Sequence, residues 1–304
     1  MVPSLDAQVT TLEKSNAYGA GLALLAALGF SLKAIFVKLA YPYGVDPVTL
    51  LALRMGFALP AFLWVAVAGW NSGSRLTRGD WGRLFVLGCV GYYGASILDF
   101  WGLQYISAGL ERLILFTYPT LTILIGVFFQ GKPFTRREAV AVALCYAGIG
   151  FAFLHDLQMG DTRNVLIGGA LVFGSSVSYA LYLSGSATMI SRVGSMRFAA
   201  LSSLVSSAVV LAHFLVAQPL SAFIQPLPVY GWGLAMAAFA TVVPVFAQSA
   251  AIRQVGAGRA SLISMVGPML TIGFGWWLLG EPISLAQMIG AAMVVMGILI
   301  VSRR

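Results

Sequence analysis

Residues 109–122 read GLERLILFTYPTLT, and residues 258–271 read GRASLISMVGPMLT. Gly109, Leu113, Ile114, Pro119, Leu121, Thr122, Pro133 and Gly148 recur as Gly258, Leu262, Ile263, Pro268, Leu270, Thr271, Pro282 and Gly297, each 149 residues further on. Matched glycines and prolines in one unbroken register mark an internal duplication. If each copy holds an odd number of membrane spans, the second copy enters the bilayer upside down.

Working outward from this pair, the rest of the chain supplies the spans. Hydrophobic residues make up 59% of the chain and charged residues 9%, against roughly 45–50% apolar and about 25% charged in a soluble domain. Apolar runs long enough to cross about 30 Å of hydrocarbon are expected at 17–39, 48–69, 82–104, 108–130, 138–154, 165–188, 198–217, 229–252, 259–279 and 284–301. The predicted fold is an all-α membrane protein of ten transmembrane helices, built as two inverted five-helix repeats. Its divisions are a cytoplasmic N-terminal segment (1–16), a first repeat (17–154), a linker (155–164) and a second repeat (165–304).

The formal net charge of +8 resolves into topology once each cation is assigned to a side. Lys14, Arg75, Arg78, Arg83, Lys132, Arg136, Arg137, Arg192, Arg197, Arg253, Arg259, Arg303 and Arg304 fall at one face. Lys38, Arg112 and Arg163 fall at the other, and Lys33 and Arg54 lie within spans. The bias places both termini in the cytoplasm of a cell (inner) membrane and argues against a nucleic-acid partner. Residues 1–16 lack the basic flank and apolar core of a cleaved signal. Cys89 and Cys145 both lie inside spans, so neither implies a disulfide.

With ten spans, short loops and a five-plus-five duplication, the chain resembles the ten-helix EamA-type members of the drug/metabolite transporter superfamily. The resemblance is most specific over 105–148 and its copy 254–297, where a small residue, a mid-helix proline and a Gly-acidic turn read Gly258, Pro268, Gly280, Glu281 and Ser284. The first copy keeps Gly131 and Thr135 but carries Lys132 in place of the acidic residue. That swap suits inverted copies, since Lys132 faces the cytoplasm and Glu281 the outside. The resemblance implies transport of a small organic molecule through a central cavity between the halves. Family members include exporters of amino acids and other metabolites.

Pro119 and Pro268 sit near the middle of spans four and nine, where they leave the carbonyls of Leu115 and Ser264 without helical partners. Their matched positions favour helix breaks at a binding site over packing kinks. Pro244 also breaks span eight, but its counterpart is Ala95. Hydroxyls line one face of span six at Ser175, Ser178, Tyr179, Tyr182 and Ser186, and Thr241, Pro244 and Gln248 do the same in span eight. Serines and threonines commonly join helices in lipid. Tyr118, Tyr179, Tyr182 and Gln248, with Tyr92 and Ser96, are the candidate substrate pathway.

Three ionisable residues lie well inside spans, all in the outer third of the first repeat: Lys33, Arg54 and Asp99. An intramembrane charge is expensive, about 2.5–3.5 kcal/mol at mid-bilayer, and Asp99 is too short to snorkel. Lys33 or Arg54 is its expected partner, with Glu111 and Arg112 close by at the outer start of span four. Lys33, Arg54, Asp99 and Glu111 therefore form either a salt-bridge lock or an outer gate. The second repeat has no comparable charge.

The two histidines, His155 in a predicted loop and His213 alone in span seven, make no metal pair, and no catalytic residue or cofactor is indicated. The competing readings are an intramembrane enzyme and a non-transporting structural protein. The sequence favours a secondary transporter of small organic metabolites, amino acids and aromatic ones especially, working by alternating access as a monomer or homodimer with a small-molecule substrate and the lipid bilayer as partners. Neither the substrate nor the direction of transport is readable from it.

Overall fold

The computed structural model describes residues 5–68, 76–131 and 133–302. Among them, nine helices are long and apolar enough to cross a membrane: α1 (Ala17–Tyr43), α2 (Pro47–Ala68), α3 (Arg78–Gly102), α4 (Ala108–Phe129), α5 (Arg136–Met159), α6 (Thr162–Val193), α7 (Ser195–Ala217), α8 (Leu227–Gly256) and α9 (Arg259–Leu279). A shorter apolar helix, α10 (Leu285–Ser302), completes ten. The molecule is inside out relative to a soluble protein. Trp64, Phe129 and Trp277 are 70% or more exposed, whereas Asp99 and Glu111 are almost fully buried, as expected when lipid is the outer solvent.

Local sequence sets the helix starts. Thr77 with Asp80 and Thr135 with Glu138 form capping boxes at α3 and α5. At α10, in repeat register with α5, the Gln287 N–H donates to Ser284 Oγ, half of the same device, while the Gln287 side chain turns to Asp156. Gly131 and Gly280 close the fourth helix of each copy in the left-handed conformation, at φ 64° and 67°, which glycine adopts without a Cβ penalty. The fifth helix runs to Met159 and the sixth starts at Thr162. His155 is therefore helical rather than in a loop, because the apolar period persists past the span boundary expected from hydropathy.

The two repeats interleave. α1 runs along α8, α3 along α6, α2 along α7 and α5 along α10, so each of these major contacts joins opposite repeats. The α5–α10 crossing is closest where a Cβ on Gly148 would stand 2.7 Å from the Gly290 carbonyl and one on Gly290 2.6 Å from the Gly148 carbonyl. Small residues let backbones meet in this way.

Both fourth helices are broken as the prolines require. The first copy passes from a helix over Ala108–Leu115 to one over Tyr118–Gln130, the second from a segment ending at Ser264 to one over Gly267–Phe274. Each break is served by the first helix of the opposite repeat. Ser176 Oγ of α6 stands 3.1 Å from the carbonyls of both Ile114 and Leu115. Ser31 Oγ of α1 reaches the Gly267 carbonyl at 3.1 Å, while Thr271 Oγ1 donates back to the Ser31 carbonyl. The acceptor at the second break is thus Gly267 rather than the expected Ser264.

Gly148→Leu is expected to lower thermal stability in detergent by about 1–3 kcal/mol through overpacking. Gly150→Leu, where a Cβ meets nothing within 4 Å, should leave the melting temperature nearly unchanged.

Candidate functional site

A feature outside the sequence expectation positions the site. α3 contains a π-helical turn over Gly88–Gly94 and α8 one over Ala238–Val242, at positions that correspond under the 149-residue offset. In α8 Pro244 accounts for the altered ladder, since it has no N–H to donate. In α3 the turn is glycine-rich, and Ser178 Oγ of α6 donates to the Val90 carbonyl within it. Ser175 likewise donates to the Ala95 carbonyl, so these two α6 serines join helices. Widened turns of this kind re-aim side chains at functional sites. Here they present Tyr92 and Thr241, which occupy equivalent positions.

Tyr92 leads into a row of aromatic rings. It meets Tyr182 edge-on at 5.3 Å, Tyr182 stacks on Tyr179 at 5.7 Å, and Tyr179 meets Tyr118 edge-on at 5.0 Å. Tyr118 continues to Phe116 at 5.8 Å. Tyr92, Tyr118 and Tyr179 are each half-buried, so part of their ring surface is not covered by packing. Four of the six candidate pathway residues are therefore contiguous. Gln248 lies apart from them, beside the second break, where Ser264 Oγ approaches its Oε1 at 3.4 Å. Ser96 is half-buried on α3.

The charged residues gather toward the end of the bundle where α3 finishes and α4 begins. Lys33 Nζ stands 2.6 Å from Asp99 Oδ2 and 3.4 Å from Glu111 Oε1, so one ammonium serves two carboxylates. Asp99 is 1% exposed, Glu111 0% and Lys33 15%. Asp99 thus takes Lys33 as its partner and not Arg54. Arg54 Nε donates to Thr241 Oγ1 at 2.8 Å, and its guanidinium lies 5.6 Å from the Phe100 ring centroid. Arg54 Nη1 and Glu111 Oε2 are buried without a hydrogen-bond partner.

Above this cluster, Glu281 accepts from the Ala108 N–H with both carboxylate oxygens, at 3.0 and 3.1 Å, and pairs with Lys38 at 3.5 Å. Lys38 also donates to the Ile106 carbonyl. The acidic residue of the second Gly-acidic turn therefore caps the first broken helix, where a negative charge favours the helix N-terminus. Its repeat counterpart, Lys132, lies outside the described residues. His213 of α7 makes a 3.0 Å hydrogen bond to Tyr93.

Two alignments of residues went unread in the sequence although the offset contains them: Tyr92 with Thr241, and Asp99 with Gln248. The second pairs a charge with a neutral amide at the same place in each repeat.

Comparison with known proteins adds family to geometry. The EamA-like transporter family matches residues 17–154 and again 166–303. The chain is 29% identical to the uncharacterized transporter YcbK of Bacillus subtilis (strain 168), over 91% of this chain and 90% of that one. It is 25% identical to the uncharacterized transporter YyaM of the same organism, over 90% and 92%. A solved crystal structure shares the fold with a TM-score of 0.65 at 17% identity, covering 94% of this chain and 96% of the other.

Removing one partner of a buried ion pair strands the other, at about 3–5 kcal/mol. Lys33→Met, which strands two carboxylates, is expected to destabilise more than Asp99→Asn. The double variant should be more stable than the sum of the two changes, a coupling readable from melting temperatures in a double-mutant cycle.

Proposed function

Because the chain belongs to the EamA-like transporter family, and is thus a multi-pass membrane transporter, we propose that it is a secondary carrier of small organic metabolites, amino acids and aromatic ones among them, working by alternating access. The observation that carries the reading is the pairing of broken helices and π turns at matched positions, each break held by a serine of the opposite repeat. Two repeats of opposite orientation, holding one another at equivalent points, can exchange roles by a rocking of one against the other. Such an exchange exposes a common site first to one side and then to the other.

The wall of the site supports the substrate class. Tyr92, Tyr118, Tyr179 and Tyr182 offer ring faces and hydroxyls, which suit amphipathic solutes with an aromatic body. Lys33, Asp99 and Glu111 form an outer polar cluster that separates the tyrosine row from the Glu281–Lys38 layer. We assign it the role of an outer gate as well as a structural lock. The cationic side of the molecule, with both termini, is assigned to the cytoplasm of the cell membrane by the same reading.

Counterflow in proteoliposomes tests this with a panel of amino acids, monocarboxylic acids, sugars and nucleosides, with and without a pH gradient. Exchange of an aromatic amino acid is expected; exchange of none of the panel removes the carrier reading, and turnover to a new product replaces it with an enzyme. In the same assay Asp99→Asn should reduce exchange about tenfold or more in protein that remains inserted. Normal exchange in a merely less stable variant leaves Asp99 as a structural lock alone.

A further inference from the structure

The interior of the first repeat carries an unbalanced charge. Five ionisable side chains meet there: Lys33, Arg54 and Arg112 against Asp99 and Glu111. Lys33 contacts both acids. Arg54 and Arg112 form no ion pair among the described residues. With all five ionised, one positive charge is in excess, in surroundings where an unpaired charge is strongly disfavoured.

Arg112 is the group left over. It is 8% exposed, and its Nε is buried with no hydrogen-bond acceptor. Arg54 at least donates to Thr241, whereas the Arg112 guanidinium has only the face of Phe116, 5.1 Å away. Its position is specific. Nη2 lies 3.2 Å from where a Cβ on Gly267 would stand, against the start of the second half of broken helix α9. Phe116, which abuts the same Gly267 position at 3.1 Å, begins the row through Tyr118, Tyr179 and Tyr182. A planar fork of unused N–H donors thus stands beside a helix start, and fork and helix start both favour an anion, while the adjoining rings offer surface to an apolar body.

We propose that Arg112 anchors the carboxylate of the transported solute, so that the site takes small organic monoanions with an aromatic or apolar body. This rests on the carrier reading and narrows its substrate class. A monoanion neutralises the excess charge. A zwitterion leaves it standing, an amine doubles it, and a dianion such as a phosphate monoester reverses it. The carboxylate accepts from the guanidinium while the body lies along the tyrosines, and no amine on the solute is required.

The test is equilibrium binding of radiolabelled 3-phenylpropionate to the purified, detergent-solubilised protein by scintillation proximity, with L-phenylalanine and phenethylamine as competitors. Saturable binding of the acid is expected, displaced more weakly by phenylalanine and not by phenethylamine. Arg112→Gln should weaken binding about ten- to a hundredfold, the effect of losing a charge-assisted pair, with Arg112→Lys in between because it keeps the charge without the fork. Displacement by phenethylamine as effective as by phenylalanine, or unchanged affinity in the variants, overturns the proposal. If neither variant can be purified, the competition order on the unaltered protein decides. Counterflow of some other panel solute with no acid binding refutes the carboxylate anchor and leaves the carrier; absence of both refutes both.

Discussion

A hydrocarbon surround leaves no water to satisfy a backbone carbonyl, and the architecture follows from how this chain meets that requirement. Proline at the middle of a spanning helix removes a donor from the ladder. At the first break Ser176, on the first helix of the other repeat, reaches the freed Leu115 carbonyl; at the second, Ser31 of the other first helix bonds the chain at Gly267, just before the proline. Two copies that hydrogen-bond into each other's breaks cannot fold side by side as separate bundles. They interleave, which is why α1 lies on α8, α3 on α6, and the fifth helices cross at Gly148 and Gly290.

Interleaving brings the π turns of α3 and α8 toward a common interior and makes the differences between the copies consequential. Tyr92 joins the tyrosine row, whereas its equivalent, Thr241, accepts from Arg54. Asp99 holds a buried ammonium where its equivalent, Gln248, meets only a serine hydroxyl. Tyr118 stands where the second copy has Gly267, and that missing side chain leaves room for the Arg112 guanidinium. The backbone keeps its twofold relation while the buried charge is one-sided. The buried charges belong to the first repeat, while the aromatic row is shared, Tyr92 and Tyr118 coming from the first repeat and Tyr179 and Tyr182 from the second.

Much of this was legible in the chain. Hydropathy marked the helices to within a few residues, because length and apolarity are what a bilayer selects. Asp99 stood out because a short carboxylate inside a span needs a partner. Which partner it took was not legible. Lys33 and Arg54 were both in range by sequence depth, and the choice follows from α2 packing on α8, which hands Arg54 to Thr241. Arg112 read as an outer-mouth residue from its place near the start of α4. It is buried, its guanidinium lying against Phe116 and against Gly267 of the opposite repeat, a neighbour that position near a helix start does not reveal. The α3 π turn carries no proline, and GCVGYYG shares no pattern with AFATV, so only the α8 turn had a visible cause.

By itself the sequence determined what depends on composition and period: an all-helical membrane protein, its duplication, the inversion of the second copy, and the two broken helices. Each of these is a local property of a segment in lipid, and proline, glycine and apolar length express it wherever the segment lies. The tertiary structure alone decided which carboxylate shares Lys33, which arginine is left unpaired, and that four tyrosines from three helices form one row. Those outcomes depend on rotations and crossings of packed helices. A shift of one residue along a helix turns a side chain by about 100°, and only the assembled contacts fix it.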